Sequence, residues 1–503
     1  MKYFLTFDVG TTSVKTCIFD ESLHMLGYSN EEYQLITPEN GIVEALPERY
    51  WEAVESGAVL ACENAKVAPT EIAAISITTQ GETLIPVDEQ GKALHNAIVW
   101  LDERAGEEAA ELSKTFDPVT FYAKTGITEL NGYVPVAKLL WIKKHKPDLY
   151  EKTYKFLLLE DYLIMRFTGA FVSEKALLST SGWFDIAKDC IWDEMLEAAG
   201  LDGAKLPEAL ECGMVIDAPV LPQVREALGL SETVRVVTSA MDQTTAALGA
   251  GNVTPGIITE TTGTGMCIGA TVLEPDFYDP LRVNLYRHIE AGKYLLIPVC
   301  MTAGMVLKWF KDTFCKWEQE EAERRGISVY DVISEQVATV PPLSGGLLLV
   351  PYLTGTLQPD NNPDARGIFY GVGLDTGRAH FQRAIFEAIA FMLRENVELI
   401  EKVQGSRTKE IRSLGGGAKS QVWRQIKADV NQTRILSMAE EECSSLGAAI
   451  LAAVALGVYP DAKTAAAAAN GVSEALTPNA ELAQAYDGAY ERYQKLYSVT
   501  KGL

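Results

Sequence analysis

Apolar and polar positions along this chain fall into blocks that switch repeatedly between a strand period and a helix period. Tyr3 to Phe7 and Ser13 to Phe19 are short runs of β-branched and aromatic residues on either side of Asp8-Val9-Gly10-Thr11-Thr12, a pattern that predicts two strands and a tight turn. A third strand is expected over Met25 to Ser29. Pro47 then opens a helix through about Asn64, with Trp51, Val54, Ala58 and Ala61 on one face. Ile72 to Thr79 is almost continuously apolar, as in a strand covered on both faces. Tyr133 to His145 and Phe156 to Gly169 read as helices packed on the sheet, Val234 to Thr238 as a strand, and Ala246 to Gly251 as a small-residue helix.

The pattern starts again near Gly251. Gly256 to Thr261 and Met266 to Val272 predict strands around Thr261-Thr262-Gly263-Thr264-Gly265, a second strand, Gly/Thr turn and strand unit. Leu347 to Pro351 is expected as a buried strand. Arg378 to Val403 should form a long helix with Phe381, Ile385, Ile389, Met392 and Ile400 inward. Ile411 to Leu414 leads into Gly415-Gly416-Gly417-Ala418-Lys419-Ser420 and a helix from Gln421 to Val430. Leu446 to Leu456 reads as a buried helix against the second sheet, and Glu481 to Tyr497 as a polar helix with aromatic anchors.

At 503 residues the chain has room for three domains or for two of about 250 residues each. The 68 acidic residues outweigh 44 basic ones for a net charge of −24, which argues against a nucleic-acid or anionic-membrane partner. Eight cysteines are scattered without a C-x-x-C pair, so buried thiols in a reducing cytosol are expected rather than a disulfide framework or a zinc site. Asp8 interrupts any N-terminal apolar run, and Leu446 to Tyr459 is too short and too rich in Gly and Ala to span a bilayer. A cytoplasmic protein is expected.

Candidate chemistry gathers at turns and strand ends. In the first turn Gly10 lets the backbone approach a phosphate, Thr11 and Thr12 add hydroxyls, and Asp8 can face a hydrated metal ion; a plain polar hairpin is the competing reading. The second Gly/Thr turn favours the phosphate reading, as two related halves would grip a polyphosphate from opposite sides. The Gln421 helix offers N–H groups and its positive dipole end to a group lying over the glycines. Gln80-Gly81-Glu82-Thr83 follows a strand's carboxyl end, where open α/β sheets bind ligands. Trp100 offers an apolar plate to a sugar, with Asp102 and Arg104 beside it; a core Trp next to a surface ion pair is the alternative. Glu160-Asp161 sets two carboxylates in an apolar run, costly without a partner or a task. Asp242 sits at a strand-to-helix junction, as a helix cap or as a carboxylate aimed into a cleft.

Some patterns mislead. Gly417-Ala418-Lys419-Ser420 lacks the Gly that must precede the Lys of a Walker loop, and Gly263-Thr264-Gly265 meets Ile268 where a dinucleotide fingerprint needs Gly. The five histidines show no ligand spacing, and no G-x-S-x-G elbow is present.

Two longer signatures carry a resemblance. Tyr133-x-Pro135-x-x-Lys138-Leu139-x-Trp141-Ile142-x-Lys144-His145, and Gly367-x-Phe369-x-Gly371-Val372 followed by His380-Phe381-x-x-Ala384-Ile385-Phe386-Glu387, resemble those of the FGGY family of carbohydrate kinases. The resemblance runs from Tyr3 to about Tyr459. It implies an α/β chain of two ribonuclease-H-like domains of the actin/hexokinase-type ATPase fold, 1–248 and 249–503, with an interdomain cleft that closes on substrate. It implies ATP and Mg²⁺ as cofactors, a small sugar as partner, and a homodimer. Asp242 matches the catalytic base, and Asp8, with Asp242, the metal site. Gly10, Thr11 and Thr12, with Gly263 and Thr264, match the phosphate loops. Gly304 and Lys308 fall at nucleotide contacts, Gly417, Ala418 and Gln421 at the adenosine site, and Gln80, Gly81, Glu82, Trp100 and Asp102 at the sugar.

Trp100 to Arg104 and Asp161-Tyr162-Leu163 resemble the xylulokinase-like branch, whereas Glu82 and Thr83 agree with glycerol kinases, whose arginine is replaced by Gly81. A ketopentose such as xylulose is the expected substrate; another ketose, a sugar acid, a tetritol or a linear signalling sugar remains open. A non-metabolic actin-like or chaperone-like ATPase switch is the reading of another class, disfavoured by the polar strand ends at Gln80 and Trp100.

Overall fold

The computed structural model describes residues 2–278, 283–356, 360, 362–469 and 471–502. The chain divides into two compact units, and each is assembled from discontinuous segments. One comprises Met1–Val253, Val272–Leu295 and Glu442–Asn470; the other comprises Thr254–Thr271, Leu296–Glu441 and Gly471–Leu503.

The first unit is built on a five-stranded sheet ordered Arg235–Val237, Ile72–Thr79, Tyr3–Val9, Ser13–Phe19 and Met25–Glu32. The last three form an antiparallel meander, and the first two run parallel to Tyr3–Val9. This arrangement is the ribonuclease-H-like one that the resemblance implied. Alternation along Tyr3–Val9 sends Leu5, Phe7 and Val9 to one face and Phe4 to the other. The first set packs with Trp51, Val54, Ala58 and Ala61 of the helix Pro47–Ala65, the stripe anticipated from its spacing. The opposite face is covered by the helix Cys443–Ala455, whose Leu446, Ala449 and Ile450 join Phe4, Phe19 and Ala74 in one core.

That helix corrects the expectation that Leu446 to Leu456 lies on the second sheet. An apolar run announces burial but not the surface that buries it. Here the helix belongs to the first unit, and its Gly447 approaches the helix Asp242–Gly249 so closely that an added Cβ would stand 2.1 Å from Thr245 O. Gly249 returns the contact, as a Cβ added there would stand 1.9 Å from Cys443 O. Phe156 to Gly169 also differs from the single helix expected. Lys155–Leu158 is a strand paired with Leu84–Val87, and the helix begins at Leu159, where Asp161 accepts from Leu158 N at 2.8 Å. A short apolar run reads equally as buried strand or buried helix, and the pairing partner decides.

The second unit repeats the topology. Ile257–Thr262 pairs antiparallel with Met266–Leu273 and parallel with Glu410–Leu414, which runs parallel to Arg434–Met438. The helix Arg378–Gln404 buries Ile385, Ile389, Met392 and Ile400, with Phe381 half-buried against Phe310 and Phe369. The tail helix Ala483–Thr500 anchors through Tyr486, Tyr490 and Tyr493 around Phe391.

Candidate functional site

In the first unit three carboxylates gather at the carboxyl ends of the parallel strands. Asp8 closes Tyr3–Val9, Glu82 follows Ile72–Thr79, and Asp242 opens the helix after Arg235–Val237. Burial, with Asp242 close by, pushes the Asp8 carboxyl up to about 7, and Lys15, its cross-strand partner, works against this. Burial likewise raises Asp242 to about 7; its own neighbour's N–H (Gln243 N, 2.6 Å) opposes the rise and Glu82 adds to it. Glu82 is also raised by burial, while the buried Lys138 pulls the other way. Its backbone sits in the left-handed region at φ 55°, a conformation found where a fixed site overrides local preference.

Scaffolding around these groups escaped the sequence reading. Lys138 is fully buried and donates to Val99 O at 2.9 Å and Glu82 O at 3.2 Å, tying two strand-end loops together. It stands in the first signature, which was the one signal for it. Lys15 is paired with Glu442 at 2.7 Å, just before the helix Cys443–Ala455. Tyr33 donates its hydroxyl to Gly10 O, and its N–H to Thr12 O at 2.9 Å, bracing the first turn.

Of the expected sugar contacts, Glu82 and Trp100 face the site, Gln80 is engaged in part and Asp102 is committed elsewhere. Trp100 is 36% exposed, and its indole N–H reaches Thr11 Oγ1 at 3.0 Å. Its backbone N–H meets Thr83 Oγ1 at 3.2 Å. Gln80 is buried with its amide N–H on that same hydroxyl at 3.1 Å, while its Oε1 has no hydrogen-bond partner among the described residues. Asp102 is fully buried, and both its oxygens are occupied by Val43 N, Arg104 N and the Arg104 guanidinium at 2.6 to 3.1 Å. Arg104 also reaches Glu44 at 2.7 Å. Asp102 therefore pins its own loop, because a bidentate guanidinium two residues away outcompetes a solvent-facing role. Gly81 leaves room for very little: a Cβ there would stand 3.2 Å from Thr180 Cγ2 and 3.5 Å from Met241 Sδ.

The second unit assembles Gly263, Thr264, Gly304, Gly417 and Ala418 around Thr262. Gly304 N donates to Gly263 O at 2.9 Å, while Ala303 N and Met305 N donate to Thr264 O at 3.0 Å. A Cβ on Gly304 would lie 2.2 Å from Gly263 O, so the helix Gly304–Phe314 can start there only without a side chain. Gly417 lies against Thr262, and Ala418 N closes a turn onto Gly415 O at 3.1 Å. That turn, Gly416–Lys419, carries two of the glycines and leads to the helix Gln421–Asn431, whose Trp423 N–H is capped by Ser420 Oγ at 3.2 Å. Under Thr262 lies a buried pair, Lys427 and Glu260 at 2.6 Å, with Lys427 also 2.9 Å from Thr262 Oγ1. Lys308 is exposed and paired with Asp312 at 2.5 Å, and Gln421 reaches Glu474 at 2.6 Å. Among the described residues no helix is long and apolar enough to cross a membrane.

Comparison with known proteins gives the site its setting. Residues 3–249 match the N-terminal domain and residues 259–456 the C-terminal domain of the FGGY family of carbohydrate kinases. The chain is 29% identical over 504 residues to a xylulose kinase of Bacillus subtilis, covering 100% of this chain and 98% of the other. It is 33% identical over 469 residues to a glycerol kinase of Thermococcus gammatolerans, covering 91% and 90%. The solved gluconate kinase of Lactobacillus acidophilus superposes with a TM-score of 0.89 at 25% identity, over 99% of this chain and 98% of that one. With both family domains matched in order, carboxylates at the strand ends of one unit and a Gly/Thr turn docked on a helix start in the other, the chain belongs to the FGGY family of carbohydrate kinases.

Proposed function

We propose that this kinase transfers the γ-phosphate of ATP to a hydroxyl of a neutral ketopentose such as D-xylulose, with Asp242 as general base. The observation that carries the reading is the convergence of Asp8, Glu82 and Asp242 at strand ends beside a Trp bonded to the Gly10 to Thr12 turn. Three carboxylates repel an acidic substrate. The nearby cations are committed, Lys15 to Glu442 and Lys138 to two carbonyls, which favours a ketose over a sugar acid. Glycerol is supported by Glu82 and Thr83 but not by Gly81, where Thr180 and Met241 stand in place of a bidentate donor.

Asp8 and Asp242 fit a divalent cation, being hard oxygen donors, half-buried, with the charge of Asp242 raising Asp8. Bound Mg²⁺ would neutralise charge on the phosphoryl oxygens. The chain's own part is positional. The Gly10 to Thr12 turn offers N–H groups and hydroxyls to phosphate, and Trp100 presents a ring face to the sugar. Glu82 orients hydroxyls, and Asp242 accepts the proton of the attacking one. The reaction is placed in the cytoplasm, where ATP is supplied.

The test is ADP production with a panel of xylulose, ribulose, erythritol, glycerol, gluconate and linear signalling sugars. Highest kcat/KM on a neutral ketopentose is the expected result. Preference for gluconate or glycerol would overturn the substrate, and equal turnover without any sugar would favour an ATPase switch.

A further inference from the structure

Of the two carboxylates in the apolar run Glu160-Asp161, Asp161 is explained as the cap on Leu158 N. Glu160 is not used by the chemistry above, although it is completely buried. Its Oε1 accepts from Ser239 N at 2.9 Å, while Oε2 has no hydrogen-bond partner among the described residues. Ser239 lies three residues before Asp242. The sheet ladder ends at Val237, opposite Ser76, so the stretch beyond it needs other anchors. Thr238 N is held by Met214 O at 2.9 Å. Ala240 O is held by Thr78 Oγ1 at 2.7 Å, which also meets Thr245 Oγ1 at 2.8 Å. Ser239 N depends on Glu160.

We infer that Glu160 is a positioning residue, acting as a hydrogen-bond acceptor that fixes the peptide from which Asp242 enters the site. The inference rests on the reading of Asp242 as the base. Burial and the neighbouring Glu174 hold the Glu160 carboxyl well above its usual range, which favours the protonated form, and one oxygen is engaged by Ser239 N. An amide has the same shape and keeps the acceptor. A shorter acid cannot reach, and an apolar side chain leaves a buried N–H orphaned. Because the anchor sits on the strand exit, its loss displaces the reacting carboxylate, and a displacement of about 1 Å can cost about 100-fold in rate.

The experiment measures kcat, KM for ATP and KM for the preferred sugar in Glu160→Gln, Glu160→Asp and Glu160→Met, with Asp242→Asn alongside. Glu160→Gln should keep kcat within about threefold, with an unshifted pH profile. Glu160→Asp and Glu160→Met should lose about 10- to 100-fold in kcat with both KM values within about threefold of wild type. The aspartate variant keeps a polar group, so it reports even if the methionine variant does not fold. Wild-type kcat in the aspartate variant, equal damage in the glutamine variant, or losses confined to KM would each overturn the role. Near-normal turnover in Asp242→Asn would instead remove the base itself, a distinguishable failure.

Discussion

The two Gly/Thr hairpins resemble each other in sequence and are fixed by different means. The first tip, residues 10–13, is braced mainly by side chains, Tyr33 on Gly10 O and Trp100 on Thr11, with one backbone bond from Tyr33 N to Thr12 O. It carries Asp8 at its base, beside Asp242. The second tip, residues 263–265, is braced by backbone: three N–H groups at the start of the helix Gly304–Phe314 donate to Gly263 O and Thr264 O. Its base is neutralised, since Glu260 is spent on Lys427, Ser413 and Thr262. One hairpin keeps its charge available for chemistry and leaves positional control largely to side chains. The other gives up its charge and gains a rigid docking.

Damage beside the first hairpin and within the second should therefore fail differently. Asp242→Asn, on the chemical side, should lower kcat by about 10²- to 10⁴-fold with fold and ATP affinity intact; steady-state kinetics and a thermal melt check both, and a near-normal kcat would refute the base. Gly304→Ala, on the docking side, places a methyl 2.2 Å from Gly263 O, and backbone cannot yield as a side chain does. It should raise KM for ATP about 10- to 100-fold while moving kcat less, since it displaces a binding loop and leaves the carboxylates alone. A loss in kcat with unchanged KM would mean that the second hairpin takes part in chemistry.

The contrast also shows how far the sequence could be read. The strand runs around Gly10 and Gly263, and apolar spacing in Pro47–Ala65, depend on local composition and geometry, and they reappear in the structure. What sequence could not disclose was the choice among nonlocal partners. Leu446 to Leu456 announced burial but not the sheet it would cover. Asp102 was legible as a carboxylate at a strand end, yet only the fold brings Val43 N to complete its coordination with Arg104. Gln80 turned inward for the same reason, as Thr83 offered it a buried hydroxyl. Lys138 stayed hidden because a lysine in an amphipathic helix normally faces water, whereas this one lies beneath two loops.

The charge held by the first unit sharpens the comparison through pH. Glu82 and Asp242 are both raised by burial, and Glu82 raises Asp242 further. A base must be ionised to act, so kcat/KM should fall as pH drops through an apparent value near 7, belonging to the group as a whole. Glu82→Gln removes one negative neighbour. The acid limb should then move to lower pH, whatever the loss in absolute kcat/KM, which we expect at about tenfold. The stability sign follows. Carboxyls raised in the folded state favour the protonated form, so stability is fullest below their ordinary range near 4 and declines as pH rises toward 7. Glu82→Gln should accordingly raise Tm at pH 8 more than at pH 5 in metal-free protein, as calorimetry can check. An acid limb that stays in place would remove Glu82 from the electrostatics of the base.

The smallest effect concerns the side-chain brace itself. Trp100 joins its own loop to the first Gly/Thr turn through one indole N–H on Thr11 Oγ1 at 3.0 Å. Trp100→Phe keeps an aromatic plate and deletes that single bond. A neutral hydrogen bond contributes about 0.5 to 1.5 kcal/mol net, so the loss should appear as a two- to tenfold rise in KM for ATP. The sugar KM should hardly change. Trp100→Ala, which removes the plate as well, should raise both. If Trp100→Phe left KM for ATP unaltered, the first hairpin would owe its placement to Tyr33 and its own ladder alone. The Trp100 brace would then be incidental, and Tyr33 would be the side chain that sets the first hairpin's bracing apart from the second's.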